Sequence, residues 1–190
     1  MGMEFELKYR ATPEIQQELA RNGQWHSISM ETTYYDTPSQ SLSQRHYTLR
    51  RRLENGVSVC TLKAPAGDLA RGEWETECAA IEAAIPELCK LGCPENLPAL
   101  TQEGLIPVCG ARFTRLASTV AYGETTLEIA LDRGILFAGD KEIPLCEIEV
   151  ELKAGTPAQA VAYAQALAQR FGLAPEPGSK FKRALALREA

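Results

Sequence analysis

Three carboxylates alternate with apolar residues in Glu147-Ile148-Glu149-Val150-Glu151, and the same alternation runs through Glu4-Phe5-Glu6-Leu7-Lys8. Successive side chains of a strand point to opposite faces. Glu147, Glu149 and Glu151 therefore share one face, with Ile148, Val150 and Leu152 on the other. By the same parity Glu4, Glu6 and Lys8 stand together, as do Glu128 and Asp132, and Glu73, Glu75 and Glu77 behind Arg71. Bases repeat the pattern: Arg50 and Arg52 face one way with Leu49 and Leu53 the other, and Lys63 has the parity of Thr61. Any one of these runs fits the wet outer face of a β-sandwich. Together they do not. Like charges ~4 Å apart repel by ~4 kcal/mol at an effective dielectric near ~20. Several such clusters would rival the whole ~5–15 kcal/mol that holds a domain folded.

If that face points inward, its acids require cations and its bases require an anion. His26 and His46 are the only histidines, and the six cysteines follow no metal-ligand spacing, so the donors are hard oxygens suited to Mg²⁺ or Mn²⁺ rather than zinc. Lysine and arginine in the same cavity suit phosphate oxygens. Acids, a hard cation and bases together point to phosphoryl transfer.

These side chains need a scaffold of strands. Period-two segments cover 3–9, 46–53, 57–64, 71–78, 112–121, 125–132 and 145–153. Asn55-Gly56 is a strong hairpin signal, and Tyr122-Gly123-Glu124 and Gly139-Asp140-Lys141 are further turns. Helices are predicted from Thr12-Pro13 to Gly23, around 78–91, from Thr156-Pro157 to Gly172, and in a short stretch within 178–188. Many antiparallel strands with helices added at intervals give an α+β chain dominated by a barrel or sandwich. Trp74 has outward parity and should sit under a helix, and Arg51 reads as an outward, solvated arginine.

The chain has 190 residues, enough for one sizeable core, and no linker or repeat divides it, so a single domain over 1–190 is expected. Its net charge of −5 repels nucleic acid and anionic membrane, and no aromatic ladder interleaves with the bases. An anionic ligand must therefore be caught by a local basic cluster. The N-terminal residues carry acids and no apolar run, and nothing approaches the ~20 apolar residues of a membrane helix. With its cysteines read as free thiols, a cytoplasmic location is expected. The partner expected is a small anion bearing phosphate oxygens, with monomer and homodimer both open.

The quoted motifs resemble the CYTH domain, or triphosphate tunnel metalloenzyme, family. Its Glu-x-Glu-x-Lys strand is matched by Glu4-Phe5-Glu6-Leu7-Lys8. Further segments follow in order: Tyr34-Tyr35-Asp36-Thr37-Pro38, Leu49-Arg50-Arg51-Arg52, Thr61-Leu62-Lys63, Arg71-Gly72-Glu73-Trp74-Glu75, Glu128 to Gly134, Glu147 to Leu152, and Ser179-Lys180 with Arg183. The resemblance implies an eight-stranded antiparallel β-barrel tunnel with flanking helices. In it Glu4, Glu6, Glu147 and Glu149 would be the foremost metal ligands, supported by Glu128, Asp132 and Glu151. Lys8, Arg50, Arg52, Lys63, Arg71, Lys180 and Arg183 would hold phosphates, and Lys180 would plug one tunnel mouth. Arg112 and Arg115 differ in parity; Arg115 is the one expected to join them. Catalysis would centre on Glu4, Glu6, Lys8 and Glu149. The implied activity is metal-dependent hydrolysis of inorganic triphosphate to pyrophosphate and phosphate. The alternatives are a nucleoside or thiamine triphosphatase, an adenylate cyclase, and a non-catalytic polyphosphate-binding module.

Overall fold

The computed structural model describes residues 2–3, 5–65 and 71–188, with residues 2, 3 and 71 described by their backbone alone. Its strands are β1 (Gly2–Met3), β2 (Glu6–Arg10), β3 (His26–Asp36), β4 (Thr48–Glu54), β5 (Val57–Pro65), β6 (Arg71–Glu77), β7 (Ile106–Tyr122), β8 (Thr125–Ala138), β9 (Lys141–Ala154) and β10 (Ala174–Pro175). Its helices are α1 (Pro13–Ala20), α2 (Ile81–Lys90), α3 (Leu97–Leu100), α4 (Pro157–Phe171) and α5 (Lys180–Ala186). The strands form one antiparallel sheet in the order β1-β6-β5-β4-β3-β7-β8-β9-β2-β10.

The sheet has ten members rather than the eight expected, for two reasons. The N-terminal run is divided into β1 and β2, and the two-residue β10 is added beside β2. β1 pairs with β6 and β2 with β9, so this one run reaches strands near opposite ends of the row. As a hydrogen-bond ladder the row is open, yet side chains from β2, β4, β5 and β9 line a common cavity, so the sheet curls into a tunnel-like form.

Parity organises the packing. Leu49 of β4, Cys60 and Leu62 of β5 and Trp74 of β6 point outward under Ile81, Ala84, Ile85 and Leu88 of α2. On the opposite side Tyr9, Leu127, Ile129, Leu131, Ile148 and Val150 pack beneath Ala160, Ala164 and Leu167 of α4, with Ile15 and Leu19 of α1 alongside. Burying each large aliphatic side chain contributes ~1.5–3 kcal/mol, so these two outer layers hold the charged parity inward.

The sequence predicts a charged interior, but the lumen is charged over only part of its length. Met30, Tyr34, Ala111, Phe113, Leu136 and Leu145 form a third apolar cluster that receives Ala184 and Phe181 of α5. The alternation that places acids in the middle of β8 and β9 places apolar residues on the same face toward one end.

Local chemistry accounts for the element ends. Thr12 and Thr156 cap α1 and α4 by accepting from Ile15 N and Gln159 N, each followed by a proline at the first helical position. Ser179 Oγ accepts from Lys182 N and starts α5. Asn55 and Gly56 turn the β4–β5 hairpin with φ of 50° and 90°. At Gly134 a Cβ would come within 2.1 Å of Arg112 O, so only glycine lets β7 and β8 approach there. Among the described residues no helix is long and apolar enough to cross a membrane.

Candidate active site

The acidic wall of the lumen comes from β8 and β9. Asp132 lies opposite Glu147, Ala130 opposite Glu149 and Glu128 opposite Glu151. Asp132, Glu147 and Glu149 are buried, and one carboxylate oxygen from each lies within 4.8 Å of the other two. Three cations face them. Arg115 of β7 grips Asp132 with two parallel hydrogen bonds, Nε to Oδ1 and Nη2 to Oδ2, both 2.8 Å, and also donates to Glu149. Lys180 Nζ sits 2.7 Å from Asp132 Oδ2 and 2.7 Å from Glu149 Oε1, and against Glu147 Oε1. Arg183 pairs with Glu147 and lies 3.7 Å from Glu176, which also accepts from Arg10 Nε at 2.8 Å and Gly178 N at 2.9 Å.

Three positive charges therefore meet three negative ones inside a low-dielectric space. Burial opposes the charge on Glu149, but Lys180 and Arg115 outweigh it and hold this carboxyl well below the usual range. Burial likewise opposes the Lys180 ammonium, and Glu149, Asp132 and Glu147 reverse that and raise it. Glu147 differs: burial raises it, and Lys180 only partly offsets this, with Glu149 adding to the rise.

The basic wall comes from β4 and β5, and the two arginines of β4 are matched more loosely. Arg50 Nη2 and Lys63 Nζ approach one Glu73 oxygen at 3.6 and 3.5 Å, too long for good hydrogen bonds. Arg52 donates from Nε to Thr32 Oγ1 at 3.1 Å and lies 3.5 Å from Glu54. Burial, and then the neighbouring Arg50 charge, lower the Arg52 guanidinium from its ordinary value. Buried Arg50 Nε has no hydrogen-bond partner among the described residues.

Between these walls lies a cavity of about 100 Å³. Lys8, Arg50, Arg52, Lys63, Arg115 and Lys180 line it against Glu6, Glu149 and Glu151, so a chain of net charge −5 presents more positive than negative side chains here. Ser179 and Phe181 close the α5 side, with the Phe181 ring 5.1 Å from that of Tyr34. A wider space of about 570 Å³ shares Arg50, Arg52, Arg115 and Glu151 and adds Ile28, Met30, Glu128 and Lys153.

Most of the residues singled out in the sequence thus meet in one lumen, with some changes of place. Arg183, expected on phosphate, is not among the lining residues; its guanidinium is taken up by Glu147 and Glu176. Asp132 and Glu147 also lie behind the cavity, because Lys180 and Arg115 stand between them and its space. Glu128 faces the wider space near Lys153, which is 3.7 Å away, and Glu151 lies 2.9 Å from the same lysine. Glu6 and Lys8 are 3.4 Å apart. Arg115 faces inward while Arg112 pairs outside with Glu142 at 3.2 Å. Arg51 points away from the lumen and donates to Ser58 Oγ at 2.8 Å. Glu4 and the side chain of Arg71 lie outside the described residues.

A divalent ion implied by this donor set can be tested against the geometry. The oxygens of Asp132, Glu147 and Glu149 are close enough to share one cation, and they are hard donors of the kind Mg²⁺ and Mn²⁺ take. Glu147 Oε1 is buried, makes no hydrogen bond among the described residues and is ion-paired to the Lys180 ammonium, whose place an ion would take. The residues fit, provided that the Lys180 ammonium yields its position.

Comparison with known proteins follows the same lines. The sequence model of the CYTH domain family matches residues 2–185. The inorganic triphosphatase of Haemophilus influenzae is 30% identical over 165 residues, covering 82% of this chain and 46% of that protein. The chain thus spans about half the length of the curated relative it matches. Among solved structures, the PH1819 protein of Pyrococcus horikoshii OT3 superposes with a TM-score of 0.66 at 23% identity, covering 98% of this chain and 99% of the other. The putative adenylyl cyclase HpAC1 from Hippeastrum, which has a dominant triphosphatase activity, gives 0.66 at 17% identity, with 97% and 96% covered. At such identities the two structures speak for a shared fold.

Proposed function

This chain belongs to the CYTH domain family, and on that premise we propose that it hydrolyses inorganic triphosphate to pyrophosphate and phosphate with Mg²⁺ or Mn²⁺. The strongest support is the loosely matched basic wall. Arg50 and Arg52 are held close together in a lumen where Arg50 Nε lacks a partner among the described residues and Arg52 is lowered by burial and by Arg50. A buried charge left this way is costly, and a polyphosphate supplies the missing acceptors.

In this reading Arg50, Arg52, Lys63 and Lys8 bind the phosphoryl oxygens and stabilise charge spreading over them in the transition state. Asp132, Glu147 and Glu149 would hold the ion, and Glu6 and Glu151 face the same cavity from the acidic side. The ion, when bound, supplies Lewis-acid charge at the phosphoryl oxygens. One of the cavity carboxylates orients the attacking water. The new bond joins water oxygen to a terminal phosphorus, the bond to the bridging oxygen breaks, and pyrophosphate departs with that oxygen. Ser179 and Phe181 exclude solvent on the α5 side.

A second reading keeps the lumen and lengthens the substrate. Ile28 and Met30 line the wider space and would suit the organic part of a nucleoside or thiamine triphosphate. Purified protein incubated with Mg²⁺ or Mn²⁺ and either tripolyphosphate or organic triphosphates, with phosphate, pyrophosphate and cyclic nucleotide quantified separately, distinguishes the two. Inactivity on all of them would leave a binding module.

A further inference from the structure

Gln16 lies on α1, outside the sheet, yet it is only 4% exposed. Its side-chain amide nitrogen donates to two backbone carbonyls at once, Asp132 O at 3.0 Å and Glu147 O at 2.9 Å. These residues are register partners on β8 and β9, and their side chains are two of the three buried acids on the lumen side. One amide therefore clamps, from behind, the backbone of the strand pair whose front face carries the acidic wall.

We propose that Gln16 is a positioning residue that sets the spacing of Asp132 and Glu147 for a divalent cation; this rests on the function proposed above. Filling volume does not explain its place, because a space of about 260 Å³ lined by Gln17, Thr114, Leu116 and Leu131 remains open beside it. Fastening α1 does not require it either. Ile15 and Leu19 already pack that helix on the outer apolar layer, and Thr12 caps it. What Gln16 adds is a pair of directed bonds. Residues behind a metal-ligand shell fix the orientation of the ligands, and their loss typically lowers metal affinity or activity by ~10–100-fold. The position of Gln16 links the segment directly after β2, the strand of Glu6 and Lys8, to the acids of β8 and β9.

The test compares Gln16→Met, which keeps length and removes the donor, with Leu19→Ala, which loosens α1 and leaves the amide in place. Three quantities are measured in full-length folded protein: amide hydrogen exchange at Asp132 and Glu147, Mn²⁺ affinity by calorimetry, and kcat and KM on tripolyphosphate. Gln16→Met should accelerate exchange at those two amides, weaken Mn²⁺ by ~10-fold or more and lower kcat more than it raises KM. Leu19→Ala should lower the melting temperature and leave the other quantities near wild type. If the two variants behave alike, Gln16 merely docks the helix and the inference falls. A wild-type protein without triphosphatase activity would sink only the proposed function. Exchange requires neither metal nor turnover, so unchanged exchange in Gln16→Met overturns the positioning role whatever the activity.

Discussion

Arg115 and Lys180 meet the acids of β8 and β9 at 2.7–2.8 Å, whereas Arg50 on the facing wall approaches Glu73 at 3.6 Å and has a buried Nε without a hydrogen-bond partner among the described residues. The first wall balances three carboxylates with three cations supplied by β7 and α5. The second sets Arg50 beside Arg52, whose guanidinium is disfavoured by burial and by that neighbouring charge. A buried pair with short, directed bonds holds a fold together, while charge left under-matched is available to a ligand. On the proposed function, the acidic wall is the structural half of the lumen until a divalent ion enters it, and the basic wall is the half that takes the anion.

The largest effect should come from breaking the acidic wall. Lys180→Met removes the ammonium shared by Asp132, Glu147 and Glu149 and should destabilise the protein by ~3–5 kcal/mol in denaturant unfolding. Mg²⁺ or Mn²⁺ should restore part of that loss by taking the place that the ammonium held among the three acids, beside Arg115 and Arg183. Unchanged stability would mean that α5 is not held through this lysine.

The opposite division is expected on the basic wall. Arg52→Ala should reduce kcat/KM on tripolyphosphate by ~10²–10³-fold and leave the thermal midpoint unchanged or slightly raised. An equal fall in both quantities would erase the distinction between the walls.

Acid and alkali should separate them further. Glu149 is lower in the folded than in the unfolded state, so its contribution is complete above the unfolded value near ~4.3 and is lost as pH falls through the folded one. Lys180 is raised, so its contribution is complete below its unfolded value near ~10.4 and is lost as pH rises through the folded one. Glu147 is raised by burial and works against Glu149 as it ionises. The stability difference between wild type and Lys180→Met, followed by urea unfolding from acid to alkali, should be largest between those limits and shrink at both. A difference independent of pH would assign the lysine a packing role.

The smallest effect concerns Glu73, the acid that competes for the bases. Glu73→Gln should tighten tripolyphosphate binding by up to ~fivefold, the range of a partly exposed ion pair. Weaker binding would make Glu73 part of the ligand set instead.

The alternation of charge was legible because it is local: parity grouped Glu147 with Glu149 and Arg50 with Arg52, and set Trp74 opposite Glu73 and Glu75, while their convergence on one lumen came from the charge argument. β3 escaped notice because Ser27, Ser29 and Glu31 alternate with Ile28, Met30 and Thr32, a pattern too short of apolar residues to stand out, although the strand pairs with both β4 and β7. The long strands β7, β8 and β9 run past their predicted limits. Pro107, Gly110, Gly134 and Pro144 read as breakers, yet they are accommodated opposite Tyr35, Thr33 and Phe137, Phe113, and Ile135. The apolar end of the lumen depends on where α5 docks, which strand parity does not contain. Gln16 gave no signal at all, since a glutamine on a short amphipathic helix looks solvated until its distant carbonyl partners are known. Arg183 carried a fitting charge, but its partner Glu176 lies on a segment with no pattern of its own.

On the proposed function the crowded guanidiniums of β4 await a polyphosphate. Calorimetric titration of tripolyphosphate in Mg²⁺ into wild type and into the Arg50→Ala, Arg52→Ala double variant tests it directly. The wild type should show saturable binding at one site per chain, and a double variant that remains folded should bind at least ~100-fold more weakly, as loss of charged hydrogen bonds worth ~1.5–3 kcal/mol each implies. Equal affinity in the two proteins, or no binding by the wild type, would contradict it.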